Sequence, residues 1–379
     1  MASSQTVIVD QRQFDNIEVQ KVSITDVGHL ASYNWIEAPT PTIAVPGTPS
    51  RRTPPAAPQK LGLDTGFFYI AQNAARHPES PLEPLFRALY IENPSFDISS
   101  VDVVTDRNNI RKLLSFINPS LDQGKAALFT IHAEVIKNTV ILSRAETETH
   151  EFIGPGQFRG FGHNFEKRYT TPTVKGSTGH HRIITYNLGG LKFVVRHETD
   201  GYVVGDTPVR SVVAGQSKQE SLLSLSALGS LSLSEDDPSV QDTRPSTKLT
   251  IIKAGNVIPL ESTLEIKTRT IKRYITVDEV SPQLWILQTP KLVRAYHQSG
   301  RFIKPEVEDV TGAVKKWEGL QQADLNKLTA LLKEIIEAAK KLGGTATIRK
   351  DAQKRSMTIE KSERGRMLPE DLYSKWLEA

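Results

Sequence analysis

The chain contains no cysteine. Disulfides, thiolate nucleophiles and cysteine-ligated zinc sites are therefore excluded, and the composition fits a reducing compartment. No stretch approaches the roughly 18 consecutive apolar residues that span a bilayer, so no membrane is expected among its partners. The opening residues, MASSQTVIVDQRQFD, have neither a basic segment nor an apolar core behind it, and no secretory signal is expected. The glycines of FIGPGQFRGFG are not followed by Gly-Lys-Ser/Thr, which excludes a phosphate loop there. The only adjacent aspartates, Asp236-Asp237, precede a proline. Paired Asp-rich helix motifs of the kind that hold Mg²⁺-diphosphate are thus missing. No internal repeat is visible.

What is present allows a sizeable core. Of 379 residues, 38% are hydrophobic and 24% charged, which argues against wholesale disorder. The formal charge of +4 and a pI near 9.0 tolerate a polyanionic partner without requiring one.

The composition shifts along the chain. Residues 39–58 hold seven of the 22 prolines. Fixed φ and missing N–H groups suit neither a helix nor a sheet interior, so residues 1–60 read as an extended Pro-rich arm with a short strand at Thr6–Val9. Residues 61–310 read as one folded domain. SPLEPLFRALYI and RNNIRKLLSFI have helical spacing. ALFTIHAEV and NTVILSRAE have strand character, and HRIITYNLGGLKFVVRHETD reads as a hairpin about Asn187-Leu188-Gly189-Gly190. Residues 207–246 are Ser-rich and nearly free of aromatics, the pattern of a disordered insertion. PQLWILQTPKLVRAYHQSGRF, residues 282–302, is expected to be largely helical. Residues 311–379 read as a helical and basic segment that can pack on the core, with Leu325, Leu328, Leu332, Ile335 and Ala339 forming one apolar stripe that Gly343-Gly344 ends.

The residues that carry chemistry are acidic. HETD puts Glu198 and Asp200 two apart at a strand end, on one face, and LEIK does the same with Glu265 and Lys267. Carboxylates so spaced can hold Mg²⁺ or Mn²⁺, which neutralises a phosphodiester and acidifies a bound water. A nearby lysine can orient or deprotonate that water. The same spacing also arises on solvated sheet faces, and Glu-x-Lys also forms plain ion pairs. His180-His181 does not extend the set, because adjacent strand residues point to opposite faces.

A Glu-x-Lys strand preceded by an acidic strand end is the core pattern of the PD-(D/E)XK nucleases. Three further segments resemble, in order, motifs of the Rai1/DXO decapping nucleases. DVVTDRNNIRKLL is similar to the family's arginine motif, FRGFGHNFEKRY to its Gly-containing glutamate helix, and PKLVRAYHQSGRF to the segment with its active-site glutamine. With HETD and LEIK, the likeness covers roughly residues 60–310. It departs from the pattern at His163, where an apolar or aromatic residue is usual, and at Tyr296-His297, where the family has tryptophan.

The resemblance implies an α/β (α+β) fold, a PD-(D/E)XK core of mixed sheets flanked by helices. It implies a metal-dependent hydrolase that removes incomplete or non-standard caps from RNA 5′ ends, with Mg²⁺ or Mn²⁺ as cofactor and 5′-3′ exonuclease activity as an extension. Carried over, Glu166, Asp200 and Glu265 are metal ligands, with the Ile266 carbonyl a fourth. Glu198 contacts substrate or metal through water, Lys267 acts on the nucleophilic water, Gln298 holds that water or the phosphate, and Arg107 grips a 5′ phosphate. Ordinary roles stay open for two of these, a helix-start charge for Arg107 and a surface amide for Gln298. The implied partners are RNA 5′ ends and a 5′-3′ exoribonuclease, and the implied location is nuclear or cytoplasmic, nucleus favoured. The alternatives are a catalytically silent scaffold of the same fold that binds RNA or the exonuclease, and a PD-(D/E)XK nuclease acting on DNA.

Overall fold

Two mixed sheets meet at the seam where the acidic motifs lie. A computed structural model describes residues 6–122, 128–158, 160–205, 209–211, 247–351 and 354–377. Its centre is the expected hairpin. Strands Ser177–Leu188 and Leu191–Glu198 pair antiparallel around Gly189 and Gly190, whose φ of +58° and +82° suit the tight turn. Leu191–Glu198 also pairs parallel with Val103–Asp106, and that strand with Thr139–Ala145. Continued on both sides, this sheet has eleven strands.

Both faces of the large sheet are covered. One packs on the helices Arg107–Ile117 and Gln322–Lys341, burying Leu113, Phe193, Leu328 and Ile335. The other packs on Glu83–Glu92 and the C-terminal turn, burying Phe86, Leu89 and Trp376. The second sheet, eight-stranded, contains Gly201–Tyr202, Thr263–Thr270 and Lys291–Gln298. A two-stranded ribbon, Gly66–Tyr69 with His150–Ile153, stands apart. The expected α+β architecture of mixed sheets with flanking helices is what forms. Among the described residues no helix is long and apolar enough to cross a membrane.

Three sequence expectations need correction. Residues 1–60 are not an arm. Thr25–Ile36 and Thr42–Pro46 lie inside the large sheet, and Tyr33, Trp35, Ile43 and Ala44 are fully buried. Proline excludes a strand only where it removes a ladder N–H. Here Pro39 and Pro41 precede the second strand and Pro46 ends it, leaving Thr42–Val45 free to pair.

Residues 282–302 are helical only at their start. The helix Val277–Leu287 stops at Gln288, with φ +53°, and Pro290 follows. Lys291–Gln298 is then a strand whose Leu292, Val293, Ala295 and His297 are buried. The C-terminal basic segment is a hairpin, Thr345–Lys350 with Ser356–Lys361, built into the large sheet beside Phe129–Ile136. The Ser-rich insertion lies outside the described residues except for Val209–Ser211, which pairs with Val307–Asp309.

Candidate active site

The segment His197–Gly201 carries the chain from one sheet into the other. Glu198 ends a strand of the large sheet and sits opposite His181. Three residues later Gly201–Tyr202 joins the smaller sheet against Thr263–Leu264. Asp200 lies at the crossing, and its Oδ2 accepts the Ile266 N–H at 2.7 Å. That bond draws the strand with Glu265 and Lys267 against the end of the strand with Glu198. The Ile266 carbonyl leaves its strand on the same edge as its N–H, so the backbone group expected to face a metal is on the side of Asp200.

Glu166 comes from a third element, the helix Gly162–Tyr169. That helix is capped from a distance by Asp64, whose two oxygens accept the N–H groups of His163 at 3.2 Å and Asn164 at 2.8 Å. His163 stacks on Phe68 with centroids 4.0 Å apart, so the imidazole takes the packing role of the aromatic expected there. Arg107 opens the helix after Val103–Asp106. Arg196 clamps the preceding Asp106 through two bonds of 2.7 and 3.0 Å, which fixes Arg107 at the C-terminal ends of neighbouring parallel strands. Arg107, Glu166, Glu198 and Asp200 all line one cleft of about 820 Å³. Gly179 keeps the wall thin beside it. A Cβ there would come within 2.5 Å of Gln72 Oε1 and 3.3 Å of Glu198 Oε1.

The electrostatics are those of a crowded, poorly hydrated acid cluster. Burial raises the Glu166 carboxyl well above its ordinary value, and Asp200 and Glu198 add to it. Burial and then the Glu265 charge push Asp200 up to about 8. Burial also raises Glu198, against the pull of Arg107. Water entering the cleft reaches Glu198, which softens that shift without reversing it. Burial opposes the Lys267 ammonium, but Glu265 and Asp200 outweigh it and raise its pKa. As placed, Lys267 is a cation suited to stabilising charge beside the carboxylates.

Four carboxyl groups crowd beside two cationic side chains, Lys267 and Arg107. A divalent cation would take the place of the protons that burial and mutual repulsion favour on Glu166 and Asp200, and the donor set is the all-oxygen one that Mg²⁺, Mn²⁺ and Ca²⁺ take. As placed, the carboxylates are held by protein donors. Glu265 is gripped by Lys267 and by the amide of Gln283. Among the described residues no three acidic or histidine side chains already form a closed metal cage.

Sequence reasoning misplaced one residue and missed another. Gln298 is exposed at the far end of its strand. Leu292 is the residue beside Glu265, so Gln298 lies six residues further on, roughly 20 Å away. The amide that reaches the acidic cluster belongs to Gln283, on the helix Val277–Leu287. Its only sequence signal is that it falls between the buried Pro282 and Leu284, off the apolar stripe. A second hollow of about 810 Å³, between Gln20–Thr25 and Asn326–Lys333, gathers no comparable acids.

Comparison with solved structures places this geometry among known folds. The chain is similar to Scheffersomyces stipitis Rai1 in complex with 3′-NADP⁺ and calcium, at TM-score 0.60 and 10% identity over 100% of both chains. It is similar to Candida albicans Rai1 in complex with pU5-Mn²⁺, at TM-score 0.58 and 12% identity over 99% of both. It is also similar to S. pombe Rai1 in complex with 3′-FADP, at TM-score 0.57 and 11% identity, over 94% of this chain and 100% of the other. Those identities establish a shared fold and leave activity to the site itself. No curated protein matches the chain in sequence. On this Rai1 fold, the chain belongs to the family described as a domain of unknown function, DUF8563, which matches it over residues 6–376.

Proposed function

We propose that the protein is a divalent-metal-dependent hydrolase of RNA 5′ ends. The observation that carries the reading is the meeting of Glu166, Glu198, Asp200, Glu265 and Lys267 from four separate elements at one seam. An acid cluster that raises its own pKa values costs stability, and such a cost is tolerated at sites that bind cations or react. Glu166, Asp200 and Glu265 would hold the metal, with the Ile266 carbonyl beside them and Glu198 acting through water. The bound ion would supply an activated water and neutralise the phosphate. Lys267 stabilises charge on the phosphate oxygens, Gln283 orients Glu265, and Arg107 offers a bidentate grip for a terminal phosphate. RNA is favoured as the substrate because Candida albicans Rai1, of the same fold, was captured with pU5 and Mn²⁺. Caps of nucleotide type are favoured by the 3′-NADP⁺ and 3′-FADP complexes of other fold neighbours.

The test is to incubate the purified protein with Mg²⁺ or Mn²⁺ and RNAs bearing monophosphate, triphosphate, unmethylated-cap and dinucleotide-cap 5′ ends. Release of mono- or dinucleotide products is expected, suppressed by chelator. No product from any end with either metal would leave the silent-scaffold reading in place. Equal cleavage of single-stranded DNA would remove the preference for RNA.

A further inference from the structure

Phe67, Phe68 and Tyr69 form part of one wall of the cleft, and the ribbon that their strand makes with His150–Ile153 has two faces that are used differently. The inner face supports the site, for Phe68 stacks on His163 of the Glu166 helix. The outer face carries Phe67, Tyr69, His150 and Phe152, because directly opposed and alternate strand positions share a face. Phe67 stacks on His150 with centroids 5.0 Å apart and meets Tyr69 edge-on at the same distance. Phe67 is 52% exposed and Phe152 70%. An isolated two-stranded ribbon gains nothing in stability from large aromatics left in water, and contiguous exposed apolar surface marks binding sites.

The surroundings say what binds. Phe67 and Tyr69 line the same cleft as Arg107 and Lys167, and Phe152 lies directly across the ribbon from Phe67. Lys167 lies over the inner Phe68 ring at 5.8 Å and makes no ion pair among the described residues. Aromatic faces and the Arg107 and Lys167 cations in one groove match the repeating chemistry of a single strand, whose bases stack while its phosphates meet the cations. A duplex hides those base faces within its own stack.

We infer that Phe67 and Phe152 form a stacking platform for unpaired bases of a single-stranded RNA whose 5′ end lies in the cleft. The inference rests on the proposed activity for the identity of the strand. Its test reads binding alone, so the two can fail separately.

The full-length protein is titrated, with chelator present, against a fluorescent 5′-phosphorylated ten-residue adenylate, the same backbone made abasic, and the adenylate annealed to its complement. The wild type should bind the base-bearing strand at least tenfold more tightly than the abasic one or the duplex. Phe67→Leu/Phe152→Leu keeps apolar bulk and removes the π faces. It should bring affinity for the base-bearing strand down to the abasic value and leave abasic binding unchanged, about tenfold lost per stacked base. An unchanged melting temperature verifies that the fold is intact. Equal binding of base-bearing and abasic strands by the wild type overturns the platform, as does a double variant that retains the difference. Base-dependent binding with no hydrolysis of any 5′ end sinks the proposed activity and leaves the platform standing.

Discussion

Gln283 donates its side-chain amide to Oε1 of Glu265, the same oxygen that Lys267 holds. An uncharged amide and a cation thereby fix one carboxylate of the acid cluster from two directions. Gln283→Ala leaves Glu265 to Lys267 alone and should lower kcat by about 10–100-fold, the usual cost of losing a group that orients a ligand. Gln298→Ala, at the far end of the neighbouring strand, should be silent. Steady-state kinetics on a 5′-triphosphate RNA checks both, and a silent Gln283→Ala would show that the amide does not position Glu265.

Asp200→Asn and Glu265→Gln keep volume while removing the charge that would hold a metal. Each should lower hydrolysis by about 100-fold or more. RNA binding in chelator should be unchanged or tighter, since neither change adds negative charge beside the polyanion. Isothermal titration with Mn²⁺ should lose its heat in both variants and keep it in Lys267→Ala. Normal cleavage by both carboxamide variants would end the hydrolase reading.

Arg107 faces the cleft while the neighbouring arginine, Arg196, is consumed by Asp106. Arg107→Lys keeps the charge and loses the planar fork. KM for a 5′-phosphorylated RNA should rise about tenfold with kcat changed little, and a 5′-hydroxyl RNA should bind as before. An equal effect on both ends would assign Arg107 to general electrostatics.

His132 ties two C-terminal segments to the large sheet. Its Nε2 meets Arg364 at 2.8 Å and its Nδ1 meets Thr347 at 3.2 Å. Burial, with Arg364 and Arg349 adding to it, lowers its pKa from 6.5 to about 4. Between those values the unfolded chain binds the extra proton, so stability is present above about 6.5 and is lost as pH falls towards about 4. The contribution is roughly 1–3 kcal/mol. Urea unfolding at pH 7.5 and pH 4.5 should show a smaller acid loss for His132→Gln than for the wild type. An identical loss would place the acid sensitivity elsewhere, with His180, His181 and His197 next in line.

Trp376 is fully buried near the end of the chain, packs on Phe86, and donates its indole N–H to Thr139 Oγ1 at 2.9 Å. Trp376→Ala should cost about 3–5 kcal/mol. Leu377→Ala, at a residue 73% exposed, should cost under about 0.5 kcal/mol. Denaturant midpoints decide it, and equal effects would mean that the C-terminal turn is not part of the core.

The local chemistry was determined by the sequence itself. Period-two spacing put Glu198 with Asp200 and Glu265 with Lys267, and the double glycine set the hairpin of the central strands. Helical periodicity marked Gln322–Lys341, while the short helix of Glu166 was legible only through the family resemblance. Each of those signals acts over a few residues, where sterics and hydrogen-bond geometry leave few choices.

Only the tertiary structure decided the rest, because strand pairing and convergence are long-range. Thr25–Ile36 is followed by proline-rich sequence yet sits between two strands, Ser177–Leu188 and Thr42–Pro46, one of which lies some 150 residues away. Nothing within the segment announces that partner. Gln283 and Gln298 are both plausible amides in one dimension. The register that sets Leu292 beside Glu265 carries Gln298 away and leaves Gln283 at the carboxylate. The aromatic face of Phe67 and Phe152 exists only once two segments more than 80 residues apart pair across a ribbon. Spacing fixes which side chains share a face, but which faces meet is set by burial and by pairing of the backbone across the whole fold.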